Sequence, residues 1–409
     1  MGPDEAYRQQ VAVLFERSPF YREKLSAAGI VSPQAAGGLD RIAGLPFTEK
    51  DELRESQAKH PPLGSHAAIE LRQAARVYST SGTSGVPLYI PLTAHDVDDW
   101  RHIGRQTYSC NGLKAGDVVA TTFGAGPFVA GASLAAFEAI GVAHIPLGVG
   151  NTERLLTALE RLKPDTLSCT PSYALYLSER IKTHHLTRII VGGEPGGGEE
   201  AFRRNIEKAL GVKVYEIMGI GDIAASLWGE CGSQAGMHFS GEGIIHVELI
   251  DPETGAAKNF ADGETGELVY THLRREAAPL LRFRSRDHVR VWTSPCSCGR
   301  RSFRVRCIGR TDDMLIVRGV NVFPSAVREV VAGFGERVTG AMQIRPRRKG
   351  VKQDPPLPVV VEGEAGAAEA IAKAIRAKLL FTAEVRMVAP RTLPRSDYKS
   401  KLVDFSEAQ

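Results

Sequence analysis

The chain has 409 residues, of which 43% are hydrophobic and 24% are charged, a composition typical of globular proteins and unlike that of disordered or collagen-like chains. This length exceeds one compact core of ordinary size, so we expect two domains or one large domain with an appendage. The formal net charge of +4 is small. Neither that charge nor the short basic run at 345–349 favours a nucleic-acid-binding surface.

The sequence also gives an expectation for the compartment. No apolar stretch approaches the roughly 20 residues that span a bilayer, and the start MGPDEAYRQQ lacks the basic and apolar regions of a signal peptide. We therefore predict a cytoplasmic protein with no membrane partner. Its six cysteines should stay reduced there, so a cysteine cluster favours metal binding over a disulfide.

From about Thr121 to Gly193 the chain alternates between strand-like and helix-like segments. The strand-like segments are VVATTF, VAHIPL, DTLSCTP and TRIIVGG, and the helix-like ones are ASLAAFEAIG, TERLLTALERLK and SYALYLSERI. This rhythm predicts an α/β fold with a mainly parallel sheet covered on both faces. Ligands of such sheets usually bind beyond the carboxyl ends of the strands.

The rest of the chain has a different pattern. Residues 240–295 contain short strand-like runs separated by Gly and Asp turns, which predicts an antiparallel layer or a small barrel. After Gly309 come the strand-like runs GAMQIRP, LPVVVEG and AEVRMV and an amphipathic helix in AEAIAKAIRAKLL. These elements predict a small α+β domain of roughly 90–100 residues at the C-terminus.

The segment TSGTSGVP at 80–87 gathers small hydroxyl residues and glycines. A loop with so little side-chain bulk exposes backbone N–H groups and hydroxyls, which suit phosphate oxygens. It is not a Walker A loop, because the pattern G-x-x-x-x-G-K-[ST] is absent. By itself, a segment of this kind is more often a plain turn than a phosphate-binding loop.

Six segments in order resemble the adenylate-forming superfamily of acyl- and aryl-CoA synthetases, and within it the phenylacetate-CoA ligase-like branch. The segments are TSGTSGVP at 80–87, CTPSYALYL at 169–177, GGEPGG at 192–197, APLLRFRSRDHVRV at 278–291, GRTDDMLIVRGVNVFPSAV at 309–327 and LPRSDYKSKLVDF at 393–405. The resemblance implies a large multi-layer N-terminal domain with parallel sheets and a β-rich subdomain, residues 1–311. It also implies a small mobile α+β C-terminal domain, residues 312–409.

The resemblance implies a two-step reaction that uses ATP, Mg²⁺ and CoA. A small aromatic carboxylic acid, an aryl or arylacetic acid, attacks the α-phosphate of ATP to give an acyl-adenylate, and the CoA thiol then displaces AMP. Two anions meet in the first step, so the site needs positive charge and fixed hydrogen-bond donors. A homodimer is also implied by the branch.

The roles of individual residues follow from the matched segments. Lys399 is expected to reach the carboxylate and the α-phosphate, with Lys401 as the rival candidate, and Asp312 is expected to be the pivot of the small domain. Asp287 is expected to bind the ribose hydroxyls with Arg310 nearby. The residues expected to wrap the phosphates are Thr80, Ser81, Gly82, Thr83, Ser84 and Gly85, and those expected to line the adenine pocket are Gly193, Glu194 and Pro195.

One segment departs from the family pattern. Where the family has Tyr-Gly-Leu-Ser/Thr-Glu, this chain has Met218-Gly219-Ile220-Gly221-Asp222. Met218 is expected to cover the adenine less specifically than an aromatic ring. Asp222 replaces the longer Mg²⁺-associated glutamate and can act through water, because magnesium usually keeps several waters.

Four residues form a candidate metal site. Cys231, His238, Cys296 and Cys298 would supply a tetrahedral Cys₃His set, which is typical of structural zinc. Free buried thiols are the alternative. The remaining cysteines, Cys110, Cys169 and Cys307, lie in apolar contexts and are expected to be core residues.

Two further interpretations of the function remain open at this stage. In the first, the adenylate passes to an amine, a hydroxyl or a carrier protein instead of CoA, an alternative suggested by the departure of the Met218–Asp222 segment from the family pattern. Alternatively, the chain is a homologue that binds a nucleotide or an acyl ligand without turnover.

Overall fold

A computed structural model describes residues 1–80, 87–123, 129–395 and 400–408. The chain begins with three helices, α1 (Pro3–Arg17), α2 (Pro19–Ala27) and α3 (Lys50–Lys59). The hydroxyl of Ser18 caps α2, and Glu49 forms a capping box with Glu52 at the start of α3. Thr48 pairs with Phe283 of the large sheet, so the start of α3 is fixed against that sheet.

A short hairpin follows. Strands β1 (Arg76–Ser79) and β2 (Tyr89–Leu92) pair in antiparallel register and flank residues 81–86. Helix α4 (Ala94–Cys110) comes next, begun by a capping box on Thr93. Its apolar face is buried in the core of the large sheet.

The alternation predicted for the following segment is confirmed. The elements are β3 (Val118–Thr121), α5 (Ser133–Ile140), β4 (Ala143–Pro146), α6 (Thr152–Leu162), β5 (Thr166–Cys169), α7 (Pro171–Ser178), β6 (Arg188–Val191), α8 (Glu200–Leu210) and β7 (Lys213–Ile220). The five strands are parallel, in the order β4-β3-β5-β6-β7. The loops at their carboxyl ends therefore lie at one edge of the sheet.

The antiparallel strands continue this sheet and do not form a separate layer or barrel. They are β8 (Ala224–Glu230), β9 (Met237–Phe239), β10 (Ile245–Ile250), β11 (Ala257–Lys258), β12 (Thr265–His272), β13 (Phe283–Trp292) and β14 (Arg304–Arg310). Strand β7 joins the parallel and antiparallel parts of the sheet. Its residues 213–216 pair parallel with β6, and its residues 217–220 pair antiparallel with β8. Among the described residues, twelve strands thus form one sheet.

The tail, residues 312–409, has a core of its own. Its elements are β15 (Leu315–Val317), β16 (Val320–Val322), α9 (Pro324–Ala332), β17 (Val338–Ile344), β18 (Lys352–Gln353), β19 (Leu357–Gly363), α10 (Ala368–Leu379) and β20 (Ala383–Val388). Ile371 and Ile375 of α10 are fully buried, as their spacing predicts. Ala332 joins the core around α8, which places α9 against the large sheet's helices. The division at 311/312 stays a prediction.

None of the helices that the structure describes is long and apolar enough to cross a membrane.

Candidate active site

Thr80 lies where the β1–β2 hairpin opens into residues 81–86. Its N–H donates to the carbonyl of Leu88 (3.0 Å), and its side chain is buried. The Thr80 methyl is 3.6 Å from the position that a Cβ on Gly221 would occupy. The start of the predicted phosphate loop therefore lies against the segment that carries Asp222. The predicted phosphate ligands Ser81, Gly82, Thr83, Ser84 and Gly85 lie outside the described residues.

Asp222 has one paired and one unpaired carboxylate oxygen. Oδ2 lies 2.7 Å from Nζ of Lys50, while Oδ1 is buried without a hydrogen-bond partner among the described residues. A buried carboxylate oxygen without a donor is unfavourable unless a ligand completes it. This oxygen is suited to receive a cation or a water bound to one, which fits the predicted Mg²⁺ association of Asp222.

Lys50 is a residue of the candidate site that the sequence analysis missed. It is the first residue of α3, and its Nζ is brought to Asp222 across 172 positions of sequence. A lysine in the first turn of a helix is unfavourable for the helix dipole, which prefers acidic residues there. This unfavourable position of a lysine, in the segment TEKDEL, was the sequence signal that could have identified Lys50. The adjacent Glu49 binds Arg286 (2.7 Å), next to the predicted ribose residue Asp287.

A hydrogen-bond network lies directly behind Asp222 and was also missed. The carbonyl of Ile223 accepts from Nε1 of Trp100 (3.0 Å) and from Nε2 of His272 (3.3 Å). Nδ1 of His272 accepts from the Leu280 N–H (3.0 Å), so Nε2 carries the proton. Burial, aided by the charge of Arg275, lowers the pKa of His272 to about 3. The imidazole is therefore neutral and fixes the backbone that follows Asp222.

Met218 and Gly219 lie at a bulge between β7 and β8. The register shifts between Met218 and Ile220, and Met218 is half-buried against the core. A Cβ on Gly219 would lie only 1.9 Å from the carbonyl oxygen of Ala225. A glycine is therefore required here by close backbone approach. Contact of either residue with adenine stays a prediction.

The segment Gly193–Glu194–Pro195 follows β6 at the carboxyl edge of the sheet. Gly193 has a φ of 92°, a conformation that favours glycine. The Glu194 carboxylate accepts from the Ser172 N–H in α7 and from the Ser400 N–H in the tail, both at 2.8 Å. Lys399, the residue before Ser400, lies outside the described residues, and the rival Lys401 is exposed.

Asp287, Arg310 and Asp312 form one connected group. Asp287 of β13 pairs with Arg310 of β14 in the sheet register, and Arg310 Nη1 lies 3.3 Å from the Asp287 carboxylate. The same guanidinium makes two bonds to Asp312, at 2.9 and 2.7 Å. Burial raises the pKa of Asp287, although the charge of Arg310 opposes this. The predicted ribose residue and the predicted pivot thus share one arginine.

The structure brings the four candidate metal ligands together. The ligand atoms of Cys231, His238, Cys296 and Cys298 all lie within 4.8 Å of one another. They come from the end of β8, from β9 and from the turn after β13. Cys110 lies beside Cys231 and Cys296 in the core. Cys110 and Cys169 are buried as expected, but Cys307 is only half-buried because its strand, β14, is partly open to solvent.

The chemistry of these four residues suits a metal ion. Nδ1 of His238 lies 3.2 Å from the Ser302 carbonyl, to which it can donate, leaving Nε2 as the ligand atom 3.4 Å from Cys298 Sγ. Burial opposes ionisation of Cys296, but hydrogen bonds from Ser233 and the Cys298 backbone lower the pKa of its thiol to about 5. A thiolate at neutral pH is the form that binds metals.

The comparisons with known proteins agree with this fold. Residues 319–404 match the family described as the AMP-binding enzyme C-terminal domain. Together with the twelve-stranded sheet, this tail defines an adenylate-forming enzyme.

A curated relative identifies the family. The phenylacetate-coenzyme A ligase of Thermus thermophilus is 33% identical over 96% of this chain and 93% of its own length. The chain belongs to the phenylacetate-CoA ligase family.

Solved structures of one relative also bear on the arrangement of the tail. A 2-hydroxyisobutyryl-CoA ligase, 26% identical, was solved in a postadenylation state with an acyl-AMP, and it matches with a TM-score of 0.89 over 98% of this chain and 88% of that one. The same enzyme in the thioesterification state, with 2-HIB-AMP and CoA, gives 0.70 over 98% and 89%. Because the coverage is nearly equal, the lower score reflects a different arrangement of parts. The present chain is arranged more like the postadenylation form.

Proposed function

We propose that this chain activates an aryl or arylacetic carboxylic acid with ATP and transfers the acyl group from the adenylate to CoA. The observation that carries the proposal is the Lys50–Asp222 pair beside Thr80. It places a positive charge and a buried, incompletely paired carboxylate at the start of the predicted phosphate loop. The activity for which the Thermus thermophilus relative is named supports the choice of substrate class and of CoA.

The residues have separate roles in the first half-reaction. Lys50 supplies positive charge against the two anions that must meet, and Thr80 contributes to the phosphate loop. Lys399 is proposed to bridge the carboxylate and the α-phosphate. Fixed charges of this kind stabilise the negative charge that develops on the α-phosphate oxygens, because they need no reorganisation during the reaction.

Among the residues that the structure describes, Asp222 would hold Mg²⁺ through its unpaired oxygen Oδ1. Magnesium, when bound, offsets the charge of the phosphates. The aspartate is shorter than glutamate, so an intervening water suits it. Lys50 holds the other oxygen and thereby orients the carboxylate.

The nucleoside part is proposed to bind along the carboxyl edge of the sheet. Asp287 accepts from the ribose hydroxyls, and Arg310 links that carboxylate to the pivot Asp312. Gly193 and Pro195 line the adenine with their backbone, and Met218 covers it from β7. Rotation of the tail about Asp312 would remove Lys399 and open a path for the CoA thiol.

We further propose that Cys231, His238, Cys296 and Cys298 hold a structural zinc ion. The cluster joins β8 and β9 to the turn after β13, so the ion would link parts of the antiparallel half of the sheet. All four ligands would come from the protein, which is typical of a structural site and leaves no position for substrate.

Two measurements test the function. Acid-dependent exchange of pyrophosphate into ATP should appear with members of a panel of benzoic, phenylacetic and small 2-hydroxy acids, and Lys399→Ala should abolish it. Product analysis with and without CoA then identifies the acceptor, since an amine, hydroxyl or carrier-protein acceptor would give no CoA-dependent product. Binding of ATP without exchange for any acid would favour a non-catalytic homologue and overturn the proposal.

A further inference from the structure

The carboxylate of Glu194 connects the large sheet to the tail. One oxygen accepts from the Ser172 N–H and the other accepts from the Ser400 N–H, each at 2.8 Å. Ser172 lies in the first turn of α7, where N–H groups lack helical partners and the dipole favours an anion. The large sheet thus fixes the carboxylate, and the tail contributes a backbone donor.

The same loop is contacted a second time by the tail. Arg328 of α9 binds the two oxygens of Glu199, from Nε at 2.8 Å and from Nη2 at 2.6 Å, and also donates to the carbonyl of Pro195. Its guanidinium stacks over Phe202 (4.7 Å), and Arg328 is only 2% exposed. A buried, bidentate pair of this kind has a defined geometry.

Further contacts cross this boundary. Glu329 of α9 accepts from the Ala201 N–H (2.9 Å), and Arg395 of the tail pairs with Glu179 (3.1 Å). Lys208 pairs with Glu336 of the tail, but both side chains are largely exposed, and such pairs contribute little. A cavity of about 170 Å³ lies between α7 and the tail, lined by apolar residues such as Leu175 and Met342 and by polar residues such as Arg395 and Ser400. Apolar packing is incomplete there, so polar contacts, including those of the loop, help to orient the tail.

We propose that Glu194 is a positioning residue for the adenylation half-reaction. Its carboxylate binds the backbone N–H of Ser400, the residue that follows Lys399, and so anchors the tail next to the proposed catalytic lysine. When the tail turns away for the transfer to CoA, this hydrogen bond is broken and has no further role. The inference rests on the proposed function and adds to it a residue that acts in one half-reaction only.

The substitution Glu194→Gln tests this role at constant size. Gln keeps one acceptor oxygen, but its NH₂ group cannot accept, so one of the two N–H groups loses its partner. We expect acid-dependent pyrophosphate exchange to fall about tenfold, with the KM for ATP within about twofold. Transfer to CoA from a chemically supplied acyl-adenylate, made from an acid that the wild type uses, should be unchanged.

A second variant probes the same bond from the tail. Ser400→Pro removes the backbone N–H, and it should cost less exchange activity in the Glu194→Gln background than in wild type, since the two residues share one hydrogen bond. Glu336→Gln is the matched control, because it makes the same substitution at an exposed interdomain pair. It should stay within about twofold of wild type.

The outcomes separate the two proposals. Wild-type protein without exchange for any acid would overturn the proposed function and the positioning role together. An active wild type with Glu194→Gln at full exchange activity would overturn the positioning role alone. The same conclusion would follow from equal loss in both half-reactions, from a rise in the KM for ATP that accounts for the loss, or from fully additive effects in the double variant.

Discussion

The ammonium group of Lys50 lies 2.7 Å from a carboxylate oxygen of Asp222, with the other oxygen of Asp222 buried and unpaired among the described residues. A helix near the N-terminus thus supplies a charge to a residue at the end of β7. This relationship gives the site a second cation besides the predicted Lys399, and it leads to a direct test.

Lys50→Met should lower acid-dependent pyrophosphate exchange by about 10²-fold, because it removes a fixed positive charge from the phosphate site while keeping the apolar stem. Lys59→Met is the control at the other end of the same helix, where the side chain is 65% exposed. It should behave as wild type. Undiminished exchange in Lys50→Met, measured at saturating ATP, would show that Lys50 has only a structural role.

Gly219→Ala should destabilise the protein by about 1–3 kcal/mol, because the new methyl would overlap the Ala225 carbonyl and force β7 and β8 apart. Chemical denaturation measures the change. Gly366→Ala is the control, since a Cβ there would meet nothing within 4 Å. Equal stability of the two variants would mean that the bulge at Gly219 accommodates a side chain.

The titration of Glu216 should make the free energy of unfolding depend on pH. Burial, together with the charge of Glu230, raises the pKa of the Glu216 carboxyl to about 7. The folded state therefore binds more protons than the unfolded state between about pH 4.5 and 7, and stability falls as pH rises through that window. Glu216→Gln should flatten this fall and be more stable than wild type at pH 8 by about 1–3 kcal/mol.

Unfolding midpoints at several values between pH 5 and pH 8 check this prediction. The two proteins should converge near pH 5, where the wild-type carboxyl is protonated in the folded state. If the unfolding midpoints of the two proteins instead differ by the same amount at every pH, the pH dependence comes from a group other than Glu216.

Metal removal should weaken the antiparallel half of the sheet. Purified protein should contain about one zinc per chain, and Cys298→Ser should lose the metal and lower the melting temperature by about 5 °C or more. Cys307→Ser is the matched control, because Cys307 lies outside the cluster. Metal-free wild type with an unchanged melting temperature would favour the alternative of free thiols.

Much of the fold was predictable because its patterns are local. The alternation of apolar runs and helices between β3 and β6 is visible in sequence, and so is the buried face of α10 with Ile371 and Ile375. The continuation of the sheet from β7 into β8 was not, because the pairing of 217–220 with β8 depends on a bulge at Gly219. The amino-acid sequence of neither strand indicates that β7 and β8 pair with each other.

The site was predictable only where residues are close in sequence or belong to a matched segment. The four metal ligands were chosen by residue type, and the structure brings them together. Lys50 and His272 were missed because their contacts join distant segments, and only Lys50, in the first turn of a helix, had a local signal. The roles of Lys399 and of the loop at 81–85 stay predictions.

Strand β7 changes its pairing partner and its pairing direction halfway along its length. The course of the chain from Met218 to Asp222 is therefore set by the backbone, at the point where one kind of hydrogen-bond ladder gives way to the other. Side chains along both halves of the strand can vary while this change of ladder persists. A scaffold of this kind allows the surroundings of Asp222 to change without rebuilding the backbone that carries it.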